Sequence, residues 1–165
     1  MKILRLIYSV FFYLVMMAKI RLTKEFRFEM AHALWNYDGL CKNLHGHSYI
    51  LNVTVLGEPI NDMSNPKLGM VMDFGDLKKI VNEEIVDKLD HAVVLSNNAP
   101  SKQLLALPQM GERHEIVDYQ PTCENMLVDF AERIKKRLPE NIQLFSLKLN
   151  ETATSYAEWF ASDNE

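Results

Sequence analysis

Hydrophobic and polar positions alternate from Lys19 to His32 with a period of two. Ile20, Leu22, Phe26, Phe28, Met30 and His32 share one parity, with Arg21, Thr23, Glu25, Arg27 and Glu29 on the other; Lys24 alone breaks the apolar set. Successive side chains of a strand point to opposite faces, so this pattern predicts a half-buried strand ending in a histidine on its apolar face. The run from His45 to Val55 behaves the same way: His45, His47, Tyr49, Leu51, Val53 and Val55 stand opposite Gly46, Ser48, Asn52 and Thr54. Two histidines two residues apart leave a strand on the same side. If the runs pair as a hairpin over one core, His32, His45 and His47 converge on one layer.

The period then changes. Asp73 is a plausible N-cap for a helix over 74–89, in which Leu77, Ile80, Val81 and Ile85 recur at helical spacing. A second helix is predicted to start near Thr122, with Pro121 before it and Glu124 in its first turn. Its apolar stripe is Met126, Leu127, Phe130, Ile134 and Leu138, and Pro139 ends it. Strand-like alternation returns over 144–151, where Phe145, Leu147 and Leu149 share the parity of Glu151, and a short last strand is predicted over 155–160. The order is β-β-α-α-β-β: an α+β domain with an antiparallel sheet and two helices on one face. Residues 92–120, with Pro100, Pro108 and little periodicity, are too long for an ordinary connection. They fit a lid, an interface arm or a disordered insertion equally.

Composition adds limits. The chain has 165 residues, 48% hydrophobic and 24% charged, which suits one domain with a real core. Its net charge of -4 lacks the positive excess of a nucleic-acid binder. Two cysteines, Cys41 and Cys123, are too few for a disulfide framework and suit a reducing, cytoplasmic setting. Behind Lys2 and Arg5, the segment Leu6–Ala18 is almost wholly apolar, like a signal peptide and short for a membrane span. No small-x-small cleavage site follows it, and Met17 is an alternative start. The expectation is a non-domain extension over 1–16, from a mis-assigned start or a signal-like segment. A single domain with no membrane span then occupies 17–165.

Chemistry concentrates in Cys41-Lys-Asn-Leu-His45-Gly-His47 and in His32. A single histidine on a strand is usually a satisfied structural side chain, but three ending apolar faces need a common partner. Shared metal ligation supplies one, and zinc is favoured over iron because no carboxylate completes a facial triad. Cys41 has two readings. As a fourth ligand it makes the site structural; as a free thiol beside an open metal it is an acid/base candidate. Cys123, just inside a helix N-terminus, reads as a packing or ligand-contact residue. Asp90-His91 is a weak pair alone, but it could serve as a proton relay for a thiol. Glu151 ends an apolar face, where a carboxylate needs a cation or ligand N–H unless the strand frays into solvent. His114, in the 92–120 segment, reads as a surface residue.

These residues together resemble the 6-pyruvoyltetrahydropterin synthase / 6-carboxytetrahydropterin synthase family, which shares the T-fold. The matching pieces are Phe28-Glu-Met-Ala-His32, Cys41-x3-His45-Gly-His47, Gly69-Met-Val-Met-Asp73-Phe, Leu89-Asp90-His91, Pro121-Thr122-x-Glu124-Asn125 and Glu151-Thr152. The resemblance implies zinc on His32, His45 and His47, and Cys41 as the catalytic thiol, assisted by Asp90 and His91. It also implies that Glu151 anchors the pterin and joins the relay, with Thr122 and Glu124 at the pterin-contacting helix start.

Three residues between Cys41 and His45 resemble the 6-carboxytetrahydropterin synthases of queuosine (7-deazaguanine) synthesis. The implied reaction converts 7,8-dihydroneopterin triphosphate to 6-carboxytetrahydropterin, acetaldehyde and triphosphate. A 6-pyruvoyl-type lyase on the same substrate and a non-catalytic zinc-stabilised domain are the rival readings. The family further implies a homo-oligomer, a dimer of trimers closing sheets into a barrel. On that pattern Glu151 and Thr122 are expected to complete a pocket whose zinc and Cys41 come from a neighbouring chain.

Overall fold

The structure, a computed structural model, describes residues 18–111 and 113–164. The extension expected over 1–16 lies outside the described residues. Both predicted N-terminal strands form, as β1 (Ile20–His32) and β2 (His45–Gly57). They pair antiparallel from Ile20↔Gly57 to His32↔His45, so the loop 33–44 is the hairpin's connection. The parity reading holds: Phe26, Phe28, Met30 and His32 are buried on β1, and Tyr49, Leu51, Val53 and Val55 on β2.

The first helix, α1 (Phe74–Val81), is capped by the Asp73 carboxylate, which accepts from Gly75 N–H at 2.7 Å. It continues through a π-helical turn (Asn82–Val86) into a last α-helical turn (Asp87–Leu89). Strand β3 (Ala92–Ser96), helix α2 (Ser101–Met110) and strand β4 (His114–Val117) follow. Next come α3 (Cys123–Lys135), β5 (Gln143–Asn150) and β6 (Tyr156–Phe160).

The six strands form one sheet in the order β4-β3-β1-β2-β5-β6. The predicted four-strand antiparallel core is present, as β1, β2, β5 and β6. Two corrections apply. Residues 92–120 are no unstructured insertion: they add β3 and β4, which run parallel to β1 and to each other and make the sheet mixed. Val94 enters the main core while Val93 and Leu95 line a cavity with α2, so both faces of β3 are covered. A strand covered on both faces shows a continuous apolar run instead of alternation.

The second correction concerns β5. A register shift between Thr54 and Val55 of β2 sets Leu144 opposite Val55, so Leu144, Leu147 and Leu149 are the buried residues. Phe145 instead lies under the Arg21 guanidinium and edge-on to Phe160 at 6.2 Å.

The main core lies between the sheet and α1 and α3. Leu77, Val81 and Ile85 on one side, and Met126, Leu127, Phe130 and Ile134 on the other, meet Phe28, Leu51, Val53, Leu147 and Leu149. Phe28 stacks on Tyr49 at 5.3 Å and packs T-shaped with Phe130 at 6.4 Å, an arrangement favoured by the ring quadrupoles. This packing fixes the end of the β1–β2 hairpin, where the three histidines sit.

Candidate metal centre and active site

Strand register decides the first geometry. His32 pairs with His45, and His47 stands two residues along β2, so the hairpin brings all three rings to one face. Ring centroids are 4.6 Å apart for His32–His45, 4.9 Å for His45–His47 and 5.3 Å for His32–His47. One ligand nitrogen from each ring lies within 4.8 Å of the others, so the group could hold a metal ion.

The hydrogen bonds around the rings choose the nitrogens. His32 Nδ1 lies 2.7 Å from the Pro121 carbonyl, and His45 Nδ1 lies 2.8 Å from the Asn43 carbonyl. A carbonyl only accepts, so each Nδ1 is the donor, and Nε2 is the nitrogen that offers a lone pair whenever the ring is neutral. Both Nε2 atoms are buried without a hydrogen-bond partner. Leaving such atoms bare is costly, and a metal ion satisfies them. Burial also lowers the pKa of His32, outweighing the Pro121 carbonyl that opposes the shift, which keeps the ring neutral and able to coordinate. Neutral imidazoles held by carbonyls are a donor set that fits zinc.

Cys41 is not one of the mutually close ligand atoms. It sits half-buried in a 3₁₀ turn (Leu40–Lys42) of the hairpin loop, and its carbonyl accepts from Leu34 N–H at 2.9 Å. Three nitrogens with no thiolate leave a coordination position open.

Glu151 does not fray away. One carboxylate oxygen, Oε1, is 3.3 Å from the Tyr49 hydroxyl, 3.7 Å from His32 Nε2 and 3.8 Å from His47 Nε2. This corrects the expectation that Glu151 meets zinc from a neighbouring chain, because it stands beside the histidines of its own chain. Thr122 is also local: its hydroxyl caps α3 by accepting from Asn125 N–H at 3.3 Å, directly after the Pro121 that holds His32. Glu124 is exposed in the first turn of α3. Cys123 is buried, donates to the Leu149 carbonyl at 3.3 Å and has its pKa pushed up to about 11 by burial. It is a packing residue.

Asp90 and His91 form a separate unit. Asp90 Oδ1 accepts from Glu29 N–H at 2.9 Å and lies 3.1 Å from His91 Nδ1. The bond from Glu29 holds the Asp90 carboxyl below its ordinary pKa, assisted by His91. His91 takes a left-handed backbone, φ 61°, and its ring is 72% exposed. Among the described residues no hydrogen bond or ion pair joins Asp90 or His91 to Cys41. Both rings, His91 and His47, border one cavity of about 380 Å³ with Glu29 and Ser48. His114 is not a plain surface residue: it is half-buried on β4, with Nδ1 unpartnered.

The 6-pyruvoyl tetrahydropterin synthase family matches residues 21–162 of this chain. The chain belongs to that family. It is thus an enzyme, in a family of lyases. A Haemophilus influenzae relative named 6-carboxy-5,6,7,8-tetrahydropterin synthase is 37% identical over 141 residues, covering 84% of this chain and 97% of its own. An Aquifex aeolicus protein of the same name is 30% identical, with 86% and 98% covered. The 6-pyruvoyl tetrahydropterin synthase of Caenorhabditis elegans superposes with a TM-score of 0.63 over 88% of this chain and 97% of its own, at 23% identity. An uncharacterized Wolinella succinogenes protein gives 0.69 over 87% and 99%, at 20% identity. The fold is the T-fold of these structures.

Several supporting groups escaped the sequence. The Pro121 and Asn43 carbonyls carry no side-chain signal. Glu29, which anchors Asp90 through its N–H and His91 through its carbonyl, is likewise a backbone partner. Tyr49 was legible in principle, since a phenol two residues beyond His47 on a buried face requires a polar partner.

Proposed function

We propose that this chain is a zinc-dependent 6-carboxy-5,6,7,8-tetrahydropterin synthase of queuosine biosynthesis. It converts 7,8-dihydroneopterin triphosphate to 6-carboxytetrahydropterin, acetaldehyde and triphosphate. The observation that carries this reading is the pair of buried, unpartnered Nε2 atoms of His32 and His45 beside His47 and the Glu151 carboxylate. The name and near-complete coverage of the 37% identical relative support the choice of product.

His32, His45 and His47 would hold the zinc, which would supply Lewis-acid stabilisation for negative charge developing on the substrate's side-chain oxygens and so make the neighbouring C–H bonds more acidic. Cys41, outside the ligand set, takes and returns the protons. Asp90 stays ionised, holds the Nδ1 proton of His91 and leaves Nε2 free to pass protons on. Glu151 anchors the pterin edge, with Thr122 and Glu124 at the adjoining helix start. The side chain then lies toward the metal, which converts a chance encounter into a fixed geometry.

Among the described residues no hydrogen bond or ion pair joins the relay to the thiol, which favours an assembly in which His91 meets the Cys41 of a neighbour. A homo-oligomer, with a hexamer of two trimers as the specific form, fulfils that need in the cytoplasm.

Mass analysis of the pterin formed from 7,8-dihydroneopterin triphosphate by the zinc-loaded protein tests the reading. The 6-carboxy product with acetaldehyde is expected. A 6-pyruvoyl product would favour the second reading, which the name of the matching family suggests. No turnover at all would overturn both.

A further inference from the structure

Gln120 makes two reciprocal hydrogen bonds across the top of the site. Its Oε1 accepts from Trp35 N–H at 3.1 Å, and its Nε2 donates to the Trp35 carbonyl at 2.7 Å. The side-chain amide thus grips a backbone as a neighbouring strand would. Its own carbonyl accepts from Thr122 N–H at 2.7 Å and from the Asn125 side chain at 3.0 Å, which moors it to the start of α3. Next to it, the Pro121 carbonyl holds His32. On the other side, Trp35 follows Leu34, whose N–H donates to the Cys41 carbonyl at 2.9 Å.

The loop 33–44 needs such a tie. Trp35, Asn36, Tyr37, Asp38 and Leu40 are all exposed, so burial does little to fix the loop. Asn36 adopts a left-handed backbone, φ 62°, that closes the turn from Leu34 to Tyr37. The bonds Tyr37–Leu34, Lys42–Gly39 and Asn43–Leu40 are internal to the loop and set its shape, not its place.

We propose that Gln120 is a positioning residue that registers the Cys41-bearing loop against the dipeptide holding His32. This rests on the reading of Cys41 as the proton-transferring thiol. Gln120 touches no reacting atom; it acts through Trp35, Leu34 and the 40–42 turn. A side chain one methylene shorter reaches only one of the two Trp35 groups, and alanine reaches neither. Misplacement of a reacting group by about 1 Å can cost around a hundredfold in rate, so partial loosening falls below that.

The test uses the full-length, zinc-loaded protein and the variants Gln120→Ala and Gln120→Glu. The chain has two cysteines, and Cys123 is buried with its thiol pKa at about 11, so alkylation of the folded protein by iodoacetamide reports Cys41. Of the two tryptophans, Trp35 is 45% exposed and Trp159 7%, so a change in acrylamide quenching reports the loop.

In Gln120→Ala the alkylation rate is expected to rise several-fold and the quenching by up to about twofold, since Trp35 is already 45% exposed. Metal content should stay at the parent level, with kcat down about tenfold and KM little changed. Gln120→Glu, which keeps the acceptor and loses the donor, should fall between the two. Unchanged alkylation and quenching in Gln120→Ala overturns the latch, as does loss of metal in Gln120→Glu. A loosened loop with full kcat overturns the positioning role. If Cys41→Ala retains turnover, the functional reading of Cys41 fails, and the latch is judged on alkylation and quenching alone.

Discussion

At the residue scale, the candidate metal site is defined by what its histidines lack. His32 and His45 each spend Nδ1 on a backbone carbonyl and bury a bare Nε2. Desolvation lowers the pKa of His32, so the apo protein keeps a neutral lone pair there at neutral pH. The sign is plain: a lowered histidine pKa favours the folded state above the ordinary value of about 6.5, and the advantage is lost as pH falls through the lowered one. Replacing His32 with alanine removes one of three donors at its most buried position. The expected outcome is loss of most bound metal, measured by atomic emission on the purified protein. Full occupancy in His32→Ala would sink the three-histidine site. Both strand histidine positions were legible because a period of two fixes which side a residue leaves. Their carbonyl partners were not, since any residue supplies a carbonyl and only the tertiary path of 121 and 43 brings these two into reach.

At the element scale, the site depends on the β1–β2 hairpin being held against α3. Phe130 is the joint: it is fully buried and packs T-shaped with Phe28, which in turn stacks on Tyr49 beside Glu151. Phe130→Ala is expected to cost about 3–5 kcal/mol of stability, from lost burial plus the cavity left behind. Urea unfolding of the metal-loaded protein measures it, and a cost below about 1 kcal/mol would mean that α3 is not what braces the hairpin. The same elements show why sequence legibility was uneven. Strands with one polar face, β1 and β2, declare themselves by alternation, and α1 and α3 by helical spacing and the caps Asp73 and Thr122. Strand β3 did not, because Ala92-Val93-Val94-Leu95 is apolar on both faces. In β5 the bulge opposite Thr54/Val55 shifts Phe145 out of the core, and nothing in a period-two reading marks where a register slips.

At the scale of the whole molecule, the question is how one chain's parts divide between sites. Glu151 and the three histidines are neighbours within a chain, whereas the Asp90–His91 unit stands apart with an exposed ring. Among the described residues, strand β1 pairs with β3 only over Met30–His32 and Glu29 is held by Asp90 and His91, so the edge over residues 20–28 has no strand partner and could meet another chain. Mixing Cys41→Ala with His91→Ala subunits is therefore expected to restore part of the activity on reassembly. A mixture of His45→Ala with Glu151→Ala subunits should stay inactive. The reverse outcome would show that the division has been drawn in the wrong place.

On the proposed ligand set, three histidines bind the metal and leave both an open position and a free Cys41 thiol. The optical spectrum of the cobalt-substituted protein tests it most directly. Ligand-field bands that respond to added anions, no thiolate-to-metal charge-transfer band, and an unchanged spectrum in Cys41→Ala are expected. A charge-transfer band that vanishes in Cys41→Ala would contradict it and make the centre a closed structural site.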